Sequence, residues 1–200
     1  MNKKEIIEQT HFAYQHLQKL YFEISYLVKE VEGLLSRESE EFIIGRPSGY
    51  GVTTNRSAGL EPNNLEFWPM RKMAVFFVPK TAALEKGGQT NTKLYEKQKV
   101  IYLRIVIDGK GLSEPKVYAG ILYGFHHKGK SGMHKVEQLM THMEYREAQV
   151  FKNPHQIDYK DGYLAFSGKL FEVNLFDINS SEDVYNKVVL PALELFRGEL

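Results

Sequence analysis

Between Val100 and Ile107 the chain reads V-I-Y-L-R-I-V-I. Side chains of a strand point alternately to its two faces, so Ile101, Leu103, Ile105 and Ile107 share one side and Val100, Tyr102, Arg104 and Val106 the other. The first side is wholly aliphatic and has to be buried. From Val117 to Phe125 the alternation repeats through Val117, Ala119, Ile121, Tyr123 and Phe125. The intervening Asp108-Gly109-Lys110-Gly111 and Pro115 leave no room for a crossover helix, so the two strands are expected to pair antiparallel at the centre of a sheet. Met73 to Val78, M-A-V-F-F-V, is apolar on both faces and reads as another central strand, stopped by Pro79. Glu41 to Arg46 is a shorter strand candidate. A further run, Tyr163 to Ile178, changes phase near Ser167-Gly168, which predicts a two-residue turn or a bulge there.

The pattern changes period outside these runs. From about Lys3 to Ser36 it predicts one long helix, with Asn2 as cap and Glu5 in the capping-box position. Ile6, Ala13, Leu20, Leu27 and Leu34 form one heptad row, Thr10, Leu17, Ile24 and Val31 a second, and Ile7, Tyr14, Tyr21, Val28 and Leu35 a third. So wide a stripe suits packing in a bundle or on a sheet. The helix would be ~50 Å long at its rise per residue, which predicts that part of it packs on a second copy of the chain. Phe12, Phe22 and Tyr26 widen the apolar surface, and the plainer expectation is that they cover the chain's own sheet. A middle helix is expected from Met133 to about Ala148, burying Met133, Val136, Leu139, Met140 and Met143 and turning Glu144, Arg146 and Glu147 outward. A C-terminal helix follows Ser180-Ser181-Glu182-Asp183, with Val184, Val188, Ala192 and Leu195 as its stripe, Pro191 dividing it and Gly198 closing it. The whole predicts a single α+β domain over residues 1–200, an antiparallel or mixed sheet of five to seven strands with N-terminal, middle and C-terminal helices packed on it.

Composition changes this picture in two ways. The chain has no cysteine, which excludes a disulfide framework and thiolate chemistry, and with no signal-peptide pattern and no ~20-residue apolar span it is expected in the cytoplasm. The formal net charge of +1 conceals an asymmetry: Met1 to Glu41 carries −3, Phe42 to Lys135 +9 and Val136 to Leu200 −5. A basic middle between acidic flanks points to an anionic partner, nucleic acid or a nucleotide.

Candidate chemistry falls in that middle. Gly45 to Gly59 is rich in glycine, hydroxyl and amide side chains, and Arg46, Tyr50, Arg56 and Ser57 there are placed to hold phosphate, since glycines admit close approach and Arg donates in a fork. Arg71 and Lys72 lie beside it in sequence. Trp68, between Arg56 and Arg71, would stack on a base, or fill the core. Gly124-Phe125-His126-His127-Lys128-Gly129-Lys130-Ser131 matches G-x-x-x-x-G-K-[ST], and Lys128, Gly129, Lys130 and Ser131 complete the anion-binding candidates. The P-loop reading needs a parallel sheet, which the turn-linked strands do not promise. Asp108-Gly109-Lys110 and Asp158-Tyr159-Lys160 have the D-x-K spacing of metal-dependent nucleases. His126, His127, His134 and His142 lack a spacing that brings ligands together, and neither metal nor cofactor is expected. The expected function is a non-catalytic, dimeric binding protein whose basic region meets a phosphate-bearing partner. The alternatives are a metal-dependent phosphate-ester enzyme and a scaffold using the long helix.

Overall fold

A computed structural model describes residues 2–44, 71–80, 93–94, 98–109, 112–127, 134–135, 139, 142–143 and 146–198. Its centre is a six-stranded sheet built from β1 (Phe42–Ile44), β2 (Lys72–Pro79), β4 (Lys99–Val106), β5 (Lys116–His127), β7 (Gln156–Lys160) and β8 (Leu164–Asn174). The order is β1-β2-β4-β5-β8-β7, and every pairing is antiparallel. β3 (Lys93–Leu94) and β6 (His134–Lys135) pair separately. The hairpin read from the sequence is central: β4 and β5 run side by side from Lys99 opposite Tyr123 to Val106 opposite Lys116.

The sheet is covered on both sides, and the two-residue period sorts its side chains cleanly. Ile101, Leu103 and Ile105, with Met73, Val75, Phe77 and Val117, face the layer of α1 (Lys3–Leu35) and the C-terminal helices. Val100, Tyr102 and Val106, with Phe76, Val78, Leu122, Phe166 and Leu170, face a second core closed by Leu139, Met143 and Val150. β2 is buried from Met73 to Val78, as its two-faced apolarity requires. Gly120, opposite Tyr102 in the ladder, sits at φ +152°, and a Cβ there would lie 2.1 Å from the Lys169 carbonyl oxygen. A side chain is excluded at that point by the neighbouring strand itself.

α1 opens with the capping box read from sequence: the Asn2 side chain accepts from the Glu5 N–H while the Glu5 carboxylate accepts from the Asn2 N–H. Only its second half is anchored, through Ile24, Leu27, Val28, Val31 and Leu35. At the other end of the chain, α3 (Ser181–Val184), a π-helical turn (Tyr185–Val189) and α4 (Leu190–Arg197) run on continuously. Pro191 has no N–H to continue an α ladder, and the wider π turn lies just ahead of it. Val184, Val188 and Ala192 are buried as expected, and the wider turn adds Val189 and brings in Leu193 where Leu195 was expected. Gly198 at φ +82° ends the helix in the left-handed conformation. Arg197 then reaches Glu38 and Glu40, and Phe196 meets Phe42 edge-on at 4.9 Å.

Two of the expected elements are corrected. The middle helix is not one element from Met133: His134 and Lys135 pair as a strand with Lys93 and Leu94, the expected helix is kept at Leu139, His142 and Met143, and Arg146 is a turn residue ahead of the single-turn α2 (Glu147–Val150). Backbone pairing with a partner about forty residues upstream overrides helical periodicity at the start of the segment. There is also no turn at Ser167-Gly168. β8 continues to Asn174, with Leu164, Phe166, Gly168 and Leu170 all toward the second core, and the irregularity lies in β5 between Tyr123 and His126. The apparent phase change marks where the opposite face, carrying Phe171, comes under helix cover.

Candidate functional site

Of the ten anion-binding candidates, Arg46, Tyr50, Arg56, Ser57, Lys128, Gly129, Lys130 and Ser131 lie outside the described residues, as do Trp68 and Lys110. Arg71 and Lys72 are described, and each is engaged. The Arg71 guanidinium is 2.9 Å from the Asp108 carboxylate, and the Lys72 ammonium is 2.5 Å from Glu147. Lys80 meets Glu41 at 2.5 Å, Arg104 also meets Glu147, and Lys116 lies 3.7 Å from Glu172. Glu41, Glu147 and Glu172 belong to the acidic flanks of the sequence. The fold therefore brings negative flank residues onto part of the positive middle, which lowers the field that summed charge implies.

The P-loop match also acquires a setting. Gly124 to His127 are residues of β5, with Gly124 at φ +66° beside the bulge. β5 is antiparallel to both neighbours, whereas a phosphate loop joins a strand of a parallel sheet to its crossover helix. Of the D-x-K candidates, Asp158 and Lys160 stand exposed on edge strand β7, and Asp108 is held by Arg71.

Two charged clusters on the second face went unread in the sequence. In the first, Glu147 leaves the outward position expected of it and turns to the sheet, where it accepts hydrogen bonds from Lys72 and Arg104. Arg104 is 8% exposed, and its guanidinium lies 3.9 Å over the Phe151 ring, which stacks in turn on Tyr102. Burial pushes the Glu147 carboxyl up, but the Lys72 hydrogen bond and the Arg104 charge outweigh it, and the group is held below the usual carboxylate range. The signal available in sequence was the lone Arg104 in an apolar strand, because a buried guanidinium must find a carboxylate.

In the second cluster the Asp161 carboxylate accepts from the Tyr163 and Leu164 N–H groups, both at 2.7 Å, and from the Tyr159 hydroxyl at 2.8 Å. The His142 ring lies 2.9 Å from both Asp161 and the Tyr159 oxygen. Burial opposes the charge on Asp161, yet these donors hold its carboxyl down at about 2. Burial, and the hydrogen bond to Asp161, push the Tyr159 hydroxyl up to about 12. Tyr159 therefore keeps its proton at neutral pH and donates it in the hydrogen bond to Asp161. The cluster ties the segment around His142 to the β7–β8 hairpin.

Among the described residues, an open apolar surface lies on the other side. Residues 3–16 of α1 are all exposed, including Ile6 and Ile7 at 47%, Tyr14 and Phe12. Phe22 and Tyr26, expected to cover the sheet, are exposed too and pack edge-on against each other at 5.2 Å. Beside them a groove of about 480 Å³ runs between α1 and the turn after β8, lined by Leu20, Glu23, Tyr26, Leu27 and Glu30 on one wall and Leu175, Phe176 and Ile178 on the other. Its floor is apolar and its rim on α1 is acidic. No described helix is long and apolar enough to cross a membrane.

Comparison with protein-family models, with curated proteins and with solved structures finds no match to this chain.

Proposed function

We propose that this chain is a non-catalytic binding protein that self-associates through α1 and presents its basic central region to a phosphate-bearing partner, nucleic acid in preference to a nucleotide. The observation that carries the reading is the continuity of the α1 stripe. The rows that bury Ile24, Leu27, Val28 and Val31 on the sheet run on through Ile6, Ile7, Tyr14 and Leu17 with no described element beneath them. An apolar patch of this extent on a protruding helix marks an interaction surface. The two charged clusters of the second face support the non-catalytic part, since Glu147 and Asp161 are spent on joining elements of the fold.

Support for the phosphate-bearing partner comes from the +9 of residues 42–135, part of it on Arg46, Arg56, Lys128 and Lys130 among glycines. A cysteine-free composition agrees with a reducing cytoplasm as the place of action. Fluorescence anisotropy with single- and double-stranded DNA and RNA at two salt concentrations tests the partner. Binding that weakens steeply with salt is expected. No binding at low salt removes the phosphate-bearing partner and leaves a scaffold working through α1. Nucleic-acid cleavage that needs Mg²⁺ and is lost in Lys110→Ala would establish the enzyme instead.

A further inference from the structure

The partner of the α1 groove is identifiable from the helix itself. Resting on the reading that the chain self-associates, we propose that the groove between α1 and the turn after β8 receives the exposed first half of α1 from a second copy, the two helices running antiparallel about a two-fold axis beside Leu17.

Three features of α1 fit together in this arrangement. The first is charge. From Lys3 to Lys19 the helix carries three lysines and two glutamates, whereas from Leu20 to Leu35 it carries one lysine and three glutamates. Glu23 and Glu30, on the groove rim, form no ion pair among the described residues. Lys4 is 86% exposed and approaches Glu8 only at 4.0 Å. A parallel pair would set like ends together, and an antiparallel pair sets the basic end against the acidic rim. The second is height along the axis. An axis at Leu17 places Lys4 level with Glu30 of the second copy, Ile7 level with Leu27, His11 level with Glu23 and Tyr14 level with Leu20, and each contact is repeated by symmetry. The third is room. The exposed first half is ~20 Å long and the α1 wall of the groove, Leu20 to Glu30, ~15 Å, so one protruding half spans the partner's groove without reaching its sheet. Both grooves are filled at once, and the assembly closes as a dimer.

The absence of native cysteine makes the test direct. Light scattering on the full chain reads the stoichiometry. A monomer at tens of micromolar overturns both the self-association reading and this proposal. Given a dimer, Leu17→Cys is expected to crosslink to itself under mild oxidation, and the mixed pair Lys4→Cys with Glu30→Cys to crosslink across copies, while Phe12→Cys does not. A dimer in which Ile7→Cys crosslinks to itself and Leu17→Cys does not would be parallel or differently seated, and overturns this proposal while leaving self-association standing. Charge exchange gives an independent reading. Lys4→Glu and Glu30→Lys are each expected to weaken the dimer about tenfold, two symmetric pairs being lost at once, with the double variant near the parent affinity. Single variants without effect, or a double variant as weak as either, would refute the pairing of these ends.

Discussion

Cutting Glu147 back to alanine leaves Arg104 buried against Phe151 with its carboxylate gone. Removing one partner of a fully buried pair costs about 3–5 kcal/mol, because the remaining charge is stranded out of water. Here the Arg104 side chain is 10% exposed and that of Glu147 33%, so water replaces part of what is lost, and Lys72, at 22%, can reorient toward solvent. The expected loss for Glu147→Ala is therefore about 2–3 kcal/mol in urea unfolding followed by circular dichroism. The stranded charge, and not the missing contact, is held responsible, and the double variant Glu147→Ala/Arg104→Met checks this. Methionine fills much of the arginine volume beside Phe151 without a charge, so the pair of changes should recover to within about 1 kcal/mol of the parent. The sign with pH follows from the direction of the shift. The Glu147 carboxyl is depressed in the folded state, so its stabilisation is complete above the unfolded carboxylate range and disappears as pH falls through the lower folded value. The gap between parent and Glu147→Gln should therefore close on acidification below about pH 4. A single variant within about 0.5 kcal/mol of the parent, or a double variant no more stable than the single, would refute the account.

Gly120→Ala should cost about 3 kcal/mol or more, since a Cβ 2.1 Å from the Lys169 carbonyl forces apart the two most extensively paired strands; an alanine variant within about 1 kcal/mol by urea unfolding would contradict the packing. Asp161→Asn should remove about 1–2 kcal/mol at neutral pH, a difference that fades between about pH 4 and 2 because the depressed carboxyl is stabilising only while ionised; a pH-independent difference between parent and variant stability curves would speak against it. Ile24→Ala, in the anchored half of α1, should cost about 2–5 kcal/mol, whereas Ile7→Ala should change monomer stability by less than about 0.5 kcal/mol and instead weaken self-association by light scattering.

Periodicity gave away the layers but not the charges. The faces of β4, the buried β2, the Asn2–Glu5 cap and the Gly198 stop were readable because each is a local matter of alternation or of a backbone end. The partners of Arg104 and His142 were not, since forty-three and seventeen residues separate the bonded groups and only the closed fold sets them side by side. On the C-terminal helix Val184, Val188 and Ala192 were legible as the buried stripe and only Leu195 was not, Leu193 being buried in the last turn instead, after a π turn ahead of Pro191. Charge asymmetry was the most suggestive feature of the sequence, and folding offsets part of it among the described residues, because Glu41, Glu147 and Glu172 return from the flanks to meet Lys80, Arg104 and Lys116.

The C-terminal helical run contributes Val184, Val188, Val189, Ala192 and Leu193 to the core that covers one side of the sheet. It leaves the ribosome after every strand has already done so. A nascent chain carrying all six strands still lacks that half of its lid, with Phe77, Ile101 and Leu103 facing water or whatever else is at hand. Vectorial synthesis thus imposes a waiting period that ends when Arg197 reaches Glu38 and Glu40, and chaperone dependence during translation should exceed that of refolding the finished polypeptide from urea.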